Sequence, residues 1–241
     1  MLLTLSGVSK RFGAIVVADK IDLSVADGEA LGIIGANGAG KSSLFNLIAG
    51  VLRPDAGAIS LAGRDVTRAS VRDRCRAGLG RSFQIPRPFE SLTVFENLLA
   101  AAEFGGVIGQ RNAPDHCADI LQRTGLLPRA NIVAGRLTLL DRKRLELARA
   151  LATEPKLLLL DEIAGGLTEA EVHELIALIR ELNGGGMTIV WIEHIVHALL
   201  SVVGRLMVLE FGRKIAEGEP RSVMAEPDVQ RSYLGIEEAV A

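Results

Sequence analysis

The spacing of hydrophobic residues changes along the chain, and each spacing predicts a different kind of element. Close to the N-terminus, Ile21–Val25 alternates apolar and polar residues, which is typical of a half-buried strand. Ala30–Ile34 is apolar throughout and predicts a buried strand of a parallel sheet. Shorter patterns predict further strands at Leu3–Val8, Ala14–Ala18, Ala58–Leu61 and Gly78–Gln84.

From about residue 88 to residue 155 the apolar spacing is helical, and strands and helices alternate again after Pro155. Helices are predicted at Val94–Phe104, Ala113–Thr124, Leu139–Thr153 and Glu169–Leu182, and strands at Leu157–Leu160, Met187–Ile192 and Leu206–Leu209. Thr168 and Glu171 form a predicted capping box for the last of these helices. The alternation predicts an α/β fold with a parallel sheet and helices on both faces.

The composition of the chain limits the number of domains, the kind of core packing and the classes of partner. The 241 residues suit one large domain, or one domain with a lobe, and 49% hydrophobic against 4% aromatic residues favours aliphatic packing. The net charge of −2 provides no bulk attraction to nucleic acid. The two cysteines lack metal-type spacing, which suggests a reducing compartment. No apolar run approaches the roughly 18–20 residues that cross a bilayer.

Residues 35–42, Gly-Ala-Asn-Gly-Ala-Gly-Lys-Ser, match the phosphate-loop pattern G-x-x-x-x-G-K-[ST] in full. A predicted strand precedes the loop and a helical pattern follows it, which is the context that a phosphate site needs. The glycines let backbone N–H groups face anionic oxygens, and the helix N-terminus adds its positive end. Lys41 is expected to reach the β- and γ-phosphates, and Ser42 to bind Mg²⁺. The alternative is a glycine-rich turn that binds nothing. The predicted nucleotide-binding residues here are Gly35, Asn37, Gly38, Ala39, Gly40, Lys41, Ser42 and Ser43.

Polar side chains follow three other predicted strands. Asp161 and Glu162 end the Leu157–Leu160 strand, where Asp161 would hold Mg²⁺ and Glu162 would orient or deprotonate the attacking water. Gln84 is a candidate ligand of Mg²⁺ or water, and His194 a candidate partner of the γ-phosphate. Each of these features also has a simpler interpretation when it is taken alone. Asp161 and Glu162 could form a solvated acidic turn, and Gln84 and His194 could be ordinary surface residues.

Phe12 lies 29 residues before Lys41, and an exposed ring there could stack on a nucleotide base. Core packing is the commoner role of a phenylalanine.

The order of these features resembles the ATP-binding subunit of ABC transporters over essentially the whole chain. Several stretches are more similar to one branch, the ATPases of branched-chain (hydrophobic) amino acid uptake systems. These stretches are Gly80–Phe89, Leu92–Asn97, Arg144–Pro155 and Gly212–Gly218.

The resemblance implies a phosphate-loop NTPase of ABC type, with a mixed, largely parallel core sheet, an N-terminal antiparallel β subdomain and a helical subdomain. Residues 1–241 would form a single ATPase domain, with the core and β subdomain in 1–87 and 156–241 and the helical subdomain in 88–155. It implies ATP and Mg²⁺ as ligands, with Ser42, Gln84 and Asp161 as metal ligands. Gln84 matches the Q-loop, His194 the switch histidine and Phe12 the aromatic residue that stacks on adenine; Gln84, Glu162 and His194 form the expected catalytic set.

The family signature Leu-Ser-Gly-Gly-Gln, which binds the partner subunit's γ-phosphate, is altered here. The matching stretch is Leu137-Thr138-Leu139-Leu140-Asp141, in which Thr138 keeps a hydroxyl but both glycines are gone. Asp141 brings a negative charge, which is unfavourable near a triphosphate unless it points away. Thr138 and Asp141 could instead cap their own helix. Smaller departures are Ile163 in place of proline and Thr168 in place of an acid.

The resemblance also implies partners. The first is a second ABC ATPase subunit, alike or different, and the two subunits would bind two ATP molecules between them. The second is a set of integral membrane permease subunits, whose coupling helix would approach Arg87–Glu96. An external solute-binding protein would be an indirect partner. The chain would lie on the cytoplasmic face of the inner membrane and bind no nucleic acid. The expected function is ATP hydrolysis that powers uptake of branched-chain amino acids or a related small polar solute. The alternatives are a soluble ABC ATPase acting on nucleic acid or the ribosome, and a subunit that binds ATP in a regulatory role.

Overall fold

The computed structural model describes residues 1–105 and 112–234. The strands are β1 (Leu3–Phe12), β2 (Ile15–Val25), β3 (Ala30–Ile34), β4 (Ala56–Leu61), β5 (Arg64–Asp65), β6 (Leu79–Arg81), β7 (Leu157–Asp161), β8 (Thr188–Ile192), β9 (Arg205–Glu210) and β10 (Arg213–Gly218). The helices are α1 (Lys41–Ala49), α2 (Val71–Arg76), α3 (Val94–Gly105), α4 (Ala113–Arg123), α5 (Leu139–Leu151), α6 (Glu169–Gly184), α7 (Val196–Leu200), α8 (Pro220–Met224) and α9 (Pro227–Leu234). Short 3₁₀ turns lie at Leu127–Arg129 and Ala134–Arg136.

The N-terminal strands form an antiparallel sheet in the order β2-β1-β4-β5. The predicted strands Ala14–Ala18 and Ile21–Val25 form one continuous strand, β2. The prediction of a break between them was therefore wrong. Irregular pairing between β1 and β2 and the left-handed φ of +50° at Lys20 mark a bulge at the predicted break. A bulge lets the alternation of side chains restart without ending the strand.

The core sheet has the order β10-β9-β3-β8-β7-β6. All neighbours from β9 to β6 pair in parallel, and only β10 pairs antiparallel, at the edge. Successive side chains of a strand point to opposite faces. Leu158 and Leu160 of β7 accordingly belong to one core cluster, and Leu157 and Leu159 to the other.

The two faces of the core sheet are covered differently. Apolar residues of α3–α7 cover the first face. The second face packs on α1 and on the antiparallel sheet, whose Leu3, Leu5 and Ile59 join the same cluster. The prediction of helices on both faces was therefore correct for one face and incomplete for the other, because hydrophobic spacing does not reveal which layer an amphipathic strand packs against.

The predicted strand Gly78–Gln84 was wrong at both ends. Gly78 has a left-handed φ of +102° and belongs to the preceding turn, and β6 ends at Arg81. Its pairing with β7 ends after Ser82, whose N–H donates to the Leu159 carbonyl at 2.9 Å. Gln84 therefore lies beyond the strand, in a bend.

Several elements had no prediction: β5, β10, α2, α7, α8 and α9. Helix α2 is only six residues long and carries three arginines, so it has no apolar stripe to detect. It is held instead by Arg74, which is buried and donates to the carbonyls of Leu47 and Ile48 at 2.6 and 2.7 Å. Those carbonyls lie in the last turn of α1, where the carbonyls of a helix have no intrahelical N–H partners, and the Leu47 carbonyl also accepts the Gly50 N–H.

Helices α3, α4 and α5 pack on one another and share a core. Thr168 accepts the Glu171 N–H and Glu171 accepts the Thr168 N–H, which confirms the predicted capping box of α6. The proposed subdomain boundaries at residues 87/88 and 155/156 stay a prediction. Among the described residues, no helix is long and apolar enough to cross a membrane.

Candidate functional site: a phosphate loop beside a held carboxylate

Loops from four parallel strands meet at one edge of the core sheet. The neighbours β3, β8, β7 and β6 end at the same edge because they run in parallel. The residues that follow them are, in the same order, the loop 35–40, His194, the pair Asp161 and Glu162, and Gln84. The sheet order thus brings together residues that are distant in sequence, with Gly35 and His194 lying 159 positions apart.

The loop between β3 and α1 is shaped by close backbone approach. A Cβ atom on Gly35 would lie 2.2 Å from the Leu209 carbonyl oxygen, and one on Gly40 would lie 2.5 Å from that of Val17. Gly40 also has a left-handed φ of +104°. The Ala39 carbonyl accepts the Gly212 N–H at 2.8 Å, which anchors the loop to the β9–β10 turn. The loop therefore requires glycine at both positions, and it wraps as a phosphate cradle does.

Lys41 crosses the inside of this loop. Its ammonium donates to the carbonyls of Gly35 and Ala36 at 2.7 and 3.1 Å, and the residue is 5% exposed. Burial lowers the pKa of Lys41, while the carboxylates of Glu162 and Asp161 oppose that change. These carboxylates therefore lie close enough to favour the charged ammonium, and a fixed cation is present where phosphate oxygens would bind.

The first turn of α1 offers further donors. Gly40 is the N-cap and supplies no side-chain cap, so the leading N–H groups of the helix remain open to an anion. Ser42 is exposed at this turn and Ser43 is half-buried. Asn37 and Gly38 are exposed at the tip of the loop. The donor set fits a polyphosphate.

Asp161 is held by an arginine that the sequence did not single out. One Arg81 Nη donates to Asp161 Oδ2 at 2.7 Å and the other to Asn46 Oδ1 at 2.7 Å, and both charged side chains are about nine-tenths buried. The guanidinium also lies over the rings of Phe45 and Phe83. Because Arg81 binds Oδ2, the carboxylate is oriented, and Arg81 does not occupy Oδ1.

Glu162 is bound from two sides. Its Oε2 accepts the Gln84 side-chain amide at 2.5 Å and its Oε1 lies 2.7 Å from His194 Nε2. The backbone of Glu162 has a left-handed φ of +47°, which is uncommon for a residue with a side chain, and its N–H donates to the Ile192 carbonyl at 2.9 Å. The structure thus brings Gln84, Glu162 and His194 into direct contact.

Glu193 supports the two loops beside this cluster and was missed by the sequence reasoning. It is 1% exposed, and it accepts the backbone N–H groups of Ala164 at 2.8 Å and His194 at 2.9 Å. Burial raises the pKa of Glu193, and these N–H groups offset part of the rise. The available signal was the acidic residue immediately before a strand-end histidine.

Phe12 ends β1 with its side chain about half exposed, and the Lys10 ammonium lies 5.3 Å from the centre of its ring. The ring is therefore a surface feature and not part of the core, which leaves it free to contact a base on its other face.

Thr138 is the N-cap of α5, and the structure does not bring it to the cluster around Glu162. Its hydroxyl accepts the Asp141 N–H and lies 3.1 Å from Asp141 Oδ2. Asp141 is 2% exposed and forms an ion pair with Arg129 at 2.9 Å. The negative charge therefore points inward, which removes the predicted repulsion, while Leu139 is exposed at the same corner.

The family model described as ABC transporter matches residues 18–165 of the chain. The chain belongs to the ABC transporter family. It is 37% identical to the high-affinity branched-chain amino acid transport ATP-binding protein LivG of Salmonella typhimurium, over 97% of this chain and 98% of LivG. It is 33% identical to BraF of Pseudomonas aeruginosa, a protein with the same description, over the same shares of the two chains.

A solved structure, the ADP conformation of an ATP-binding cassette of an ABC transporter, superposes with a TM-score of 0.89 at 31% identity, over 98% of this chain and 99% of that one. The expected fold is confirmed: an antiparallel N-terminal sheet, a mixed core sheet and a helical subdomain. The chain is the ATP-binding subunit of an ABC transporter and an ATPase.

Within this ABC ATPase, the roles of individual site residues stay predictions. The phosphate loop, Asp161, Glu162, Gln84 and His194 share one edge of the sheet, whereas Phe12 and Thr138 lie apart from the Gln84–Glu162–His194 contacts. The sequence reasoning missed Arg81, Glu193 and the buried Lys143, whose ammonium donates to the Gln84 carbonyl at 2.5 Å. Each of the three is a charged residue with at least one partner that lies 29 or more positions away in sequence.

Proposed function

We propose that this ATPase powers uptake of branched-chain amino acids through partner membrane subunits, with Glu162 as the residue that activates water. The observation that carries the catalytic part is the pair of contacts on Glu162 from Gln84 at 2.5 Å and His194 at 2.7 Å, beside the phosphate loop. A carboxylate held by two side chains has a fixed direction, which is what a general base needs.

In the proposed reaction, Lys41 and the first-turn N–H groups of α1 bind the β- and γ-phosphates of ATP and draw negative charge away from the reacting phosphorus. Glu162 orients a water molecule and accepts its proton as the water attacks. His194, which contacts Glu162 through Nε2, keeps the carboxylate in place and would also contact the departing γ-phosphate.

Mg²⁺ is the metal that these residues would hold. Ser42, Asp161 and Gln84 supply the hydroxyl, carboxylate and amide oxygens that Mg²⁺ prefers, and Arg81 leaves one oxygen of Asp161 available. When bound, the metal would neutralise charge shared by the β- and γ-phosphates.

Phe12 would stack on adenine, and Thr138 would face the nucleotide of a second subunit. Since the Thr138 hydroxyl is engaged with Asp141 and Leu139 replaces a glycine, this corner is poorly suited to a phosphate. We propose a heteromeric pair, in which a different ATPase subunit supplies an intact signature to the site of this chain.

The membrane subunits would dock in a groove of about 350 Å³ beside Gln84. It is lined by Ala49, Val51, Val71, Cys75, Leu79, Gly80, Arg81, Phe83, Arg87, Ala101, Glu146, Arg149, Ala150 and Thr153. Val51, Val71 and Phe83 are exposed there, so the groove offers apolar surface that a partner helix would cover. Docking of this kind would place the chain on the cytoplasmic face of the inner membrane.

The test of the catalytic proposal is the variant Glu162→Gln. It should bind ATP as tightly as the wild type does, because the side chain keeps its shape, and hydrolyse it about 10²- to 10⁴-fold more slowly. Glu169→Gln, an exposed glutamate at the start of α6, is the matched control. Steady-state phosphate release and equilibrium ATP binding measure the two properties. Wild-type turnover by Glu162→Gln would contradict the assignment.

The solute is tested by uptake. A strain lacking this chain should lose high-affinity uptake of labelled leucine, isoleucine and valine, and the wild-type gene should restore it while Glu162→Gln does not. Unchanged uptake of all three amino acids, or loss of uptake of urea or a short amide alone, would reject the branched-chain proposal without affecting the ATPase.

A further inference from the structure

Side chains of a single helix hydrogen-bond the main chain of the segment that carries Gln84. Helix α5 contributes three polar residues spaced three positions apart, and each bonds to the main chain of residues 84–87. Lys143 Nζ donates to the Gln84 carbonyl at 2.5 Å, Glu146 accepts the Arg87 N–H at 2.6 Å, and Arg149 donates to the Arg87 carbonyl at 2.8 Å. The segment is thereby fixed to α5 at both ends.

Lys143 is the unusual member of this set. It is 4% exposed, although an isolated ammonium is costly to bury. Burial lowers its pKa, while Glu193, Glu162 and Glu146 favour the charged form. Two of these three glutamates belong to the cluster around the reacting edge of the sheet, so the ammonium lies within electrostatic reach of the proposed base.

A direct line of contacts therefore leads from α5 to the proposed base. Lys143 holds the main chain of Gln84, and the Gln84 side chain donates to Glu162 at 2.5 Å. The same helix begins at Thr138, the corner proposed to face a second subunit, and Glu146 and Arg149 line the groove proposed for the membrane subunits. A shift of α5 would therefore act directly on the main chain of Gln84, through the contact that Lys143 makes with it.

We propose that Lys143 is a positioning residue, which sets the Gln84 amide on Glu162 and so couples the placement of α5 to the activation of water. Lys143 touches no substrate in this role; it acts through the backbone of Gln84. The proposal rests on the proposed function of Glu162.

The test is ATP hydrolysis by the transporter complex purified with this chain, in which the chain carries Lys143→Met. This substitution keeps the length of the side chain and removes its donor. We expect kcat to fall about 10- to 100-fold, the size of effect that a small misplacement of a catalytic group produces, with KM for ATP within about twofold of wild type. Lys143→Arg, which can still donate to the carbonyl, should recover most of the loss. Arg142→Met removes a neighbouring cation from α5 whose bonds go to Gly135 and Leu137, and it is the matched control.

A double-mutant cycle separates this role from general support of the fold. If Lys143 acts through Gln84, then Lys143→Met should lower kcat much less in a Gln84→Ala background than in the wild type. Hydrogen exchange supplies a readout that is independent of turnover: the amides of Gln84, Ile85 and Arg87 should exchange faster in Lys143→Met, and those of α6 should not.

Wild-type kcat in Lys143→Met would overturn the proposal, as would full additivity with Gln84→Ala or an equal loss in Arg142→Met. These failures are distinguishable from failure of the proposed function. If Glu162→Gln is inactive while Lys143→Met is unaffected, only the role of Lys143 is rejected; if Glu162→Gln is fully active, the role of Glu162 itself is rejected.

Discussion

At the scale of single residues, the site depends on buried charged side chains that fix the side chain or the backbone of another site residue. Arg81 holds Asp161, Glu193 holds the backbone of His194, and Lys143 holds that of Gln84. None of these supporting residues lies in the phosphate loop, yet each fixes a residue that faces it. A buried charge is costly to leave without a partner, so such contacts resist distortion.

Lys41→Ala tests the phosphate cradle at this scale. The variant loses a buried cation that would bind two phosphates, and charged hydrogen bonds contribute about 1.5–3 kcal/mol. ATP affinity should fall roughly 10- to 100-fold in calorimetric titration. Lys156→Ala, which changes an exposed lysine at the opposite end of the sheet, serves as the control. Unchanged affinity in Lys41→Ala would refute the cradle.

At the scale of elements, α5 packs an apolar face into the core and also buries polar residues that its amphipathic pattern does not predict. The apolar spacing predicted the helix, with its end two residues beyond the observed Leu151. Its buried residues, however, include Asp141, Lys143 and Glu146. These polar residues are buried because neighbouring segments supply partners, and the helix therefore joins its capped N-terminus to the Gln84 segment.

Arg129→Met tests the element-scale account of Asp141. It leaves a carboxylate that is 2% exposed with Arg144 at 4.0 Å as its remaining cation. Because Arg129 itself is about half exposed, solvent screens part of the pair, and the expected loss is about 1–3 kcal/mol of unfolding free energy. Urea denaturation measures it against Arg123→Met, an exposed arginine at the end of α4. Equal stability of the two variants would show that the Asp141 pair contributes little.

At the scale of the whole molecule, the apolar groove and the reacting edge share residues. Arg81 contacts Asp161 and also lines the groove, and the Gln84 segment lies between the two. A partner seated in the groove would therefore touch Arg81, which contacts Asp161, and also Phe83 and Arg87, which flank the segment around Gln84. This arrangement gives a physical route by which docking and hydrolysis influence each other.

Val71→Glu tests the groove. Val71 is half exposed at the start of α2, where an added carboxylate is compatible with the helix dipole, so folding should be preserved. The tagged variant should bind ATP normally but lose multi-spanning subunits in pull-downs from detergent-solubilised membranes, identified by mass spectrometry. Leu127→Glu, an exposed apolar residue outside the groove lining, should keep them. Retention of the membrane subunits by Val71→Glu would place docking elsewhere.

The sequence by itself determined the local parts of this protein. The phosphate loop, the buried β3 and β7, the capping box of α6 and the main helices follow from short-range spacing, because glycine conformation, side-chain periodicity and helix capping act within a few residues. The order of the motifs was also sufficient to indicate the family, which the match to residues 18–165 confirms.

The tertiary structure alone decided how those parts meet. Strand β6 ends at Arg81, and Gln84 lies beyond it in a bend. The Asp141 carboxylate is buried against Arg129, and Lys143 binds a carbonyl 59 residues away. Helix α2 likewise depends on the distant carbonyls that Arg74 binds. The physical reason is the same in each case: the position of a buried polar group is set by partners that only the packing of distant segments supplies.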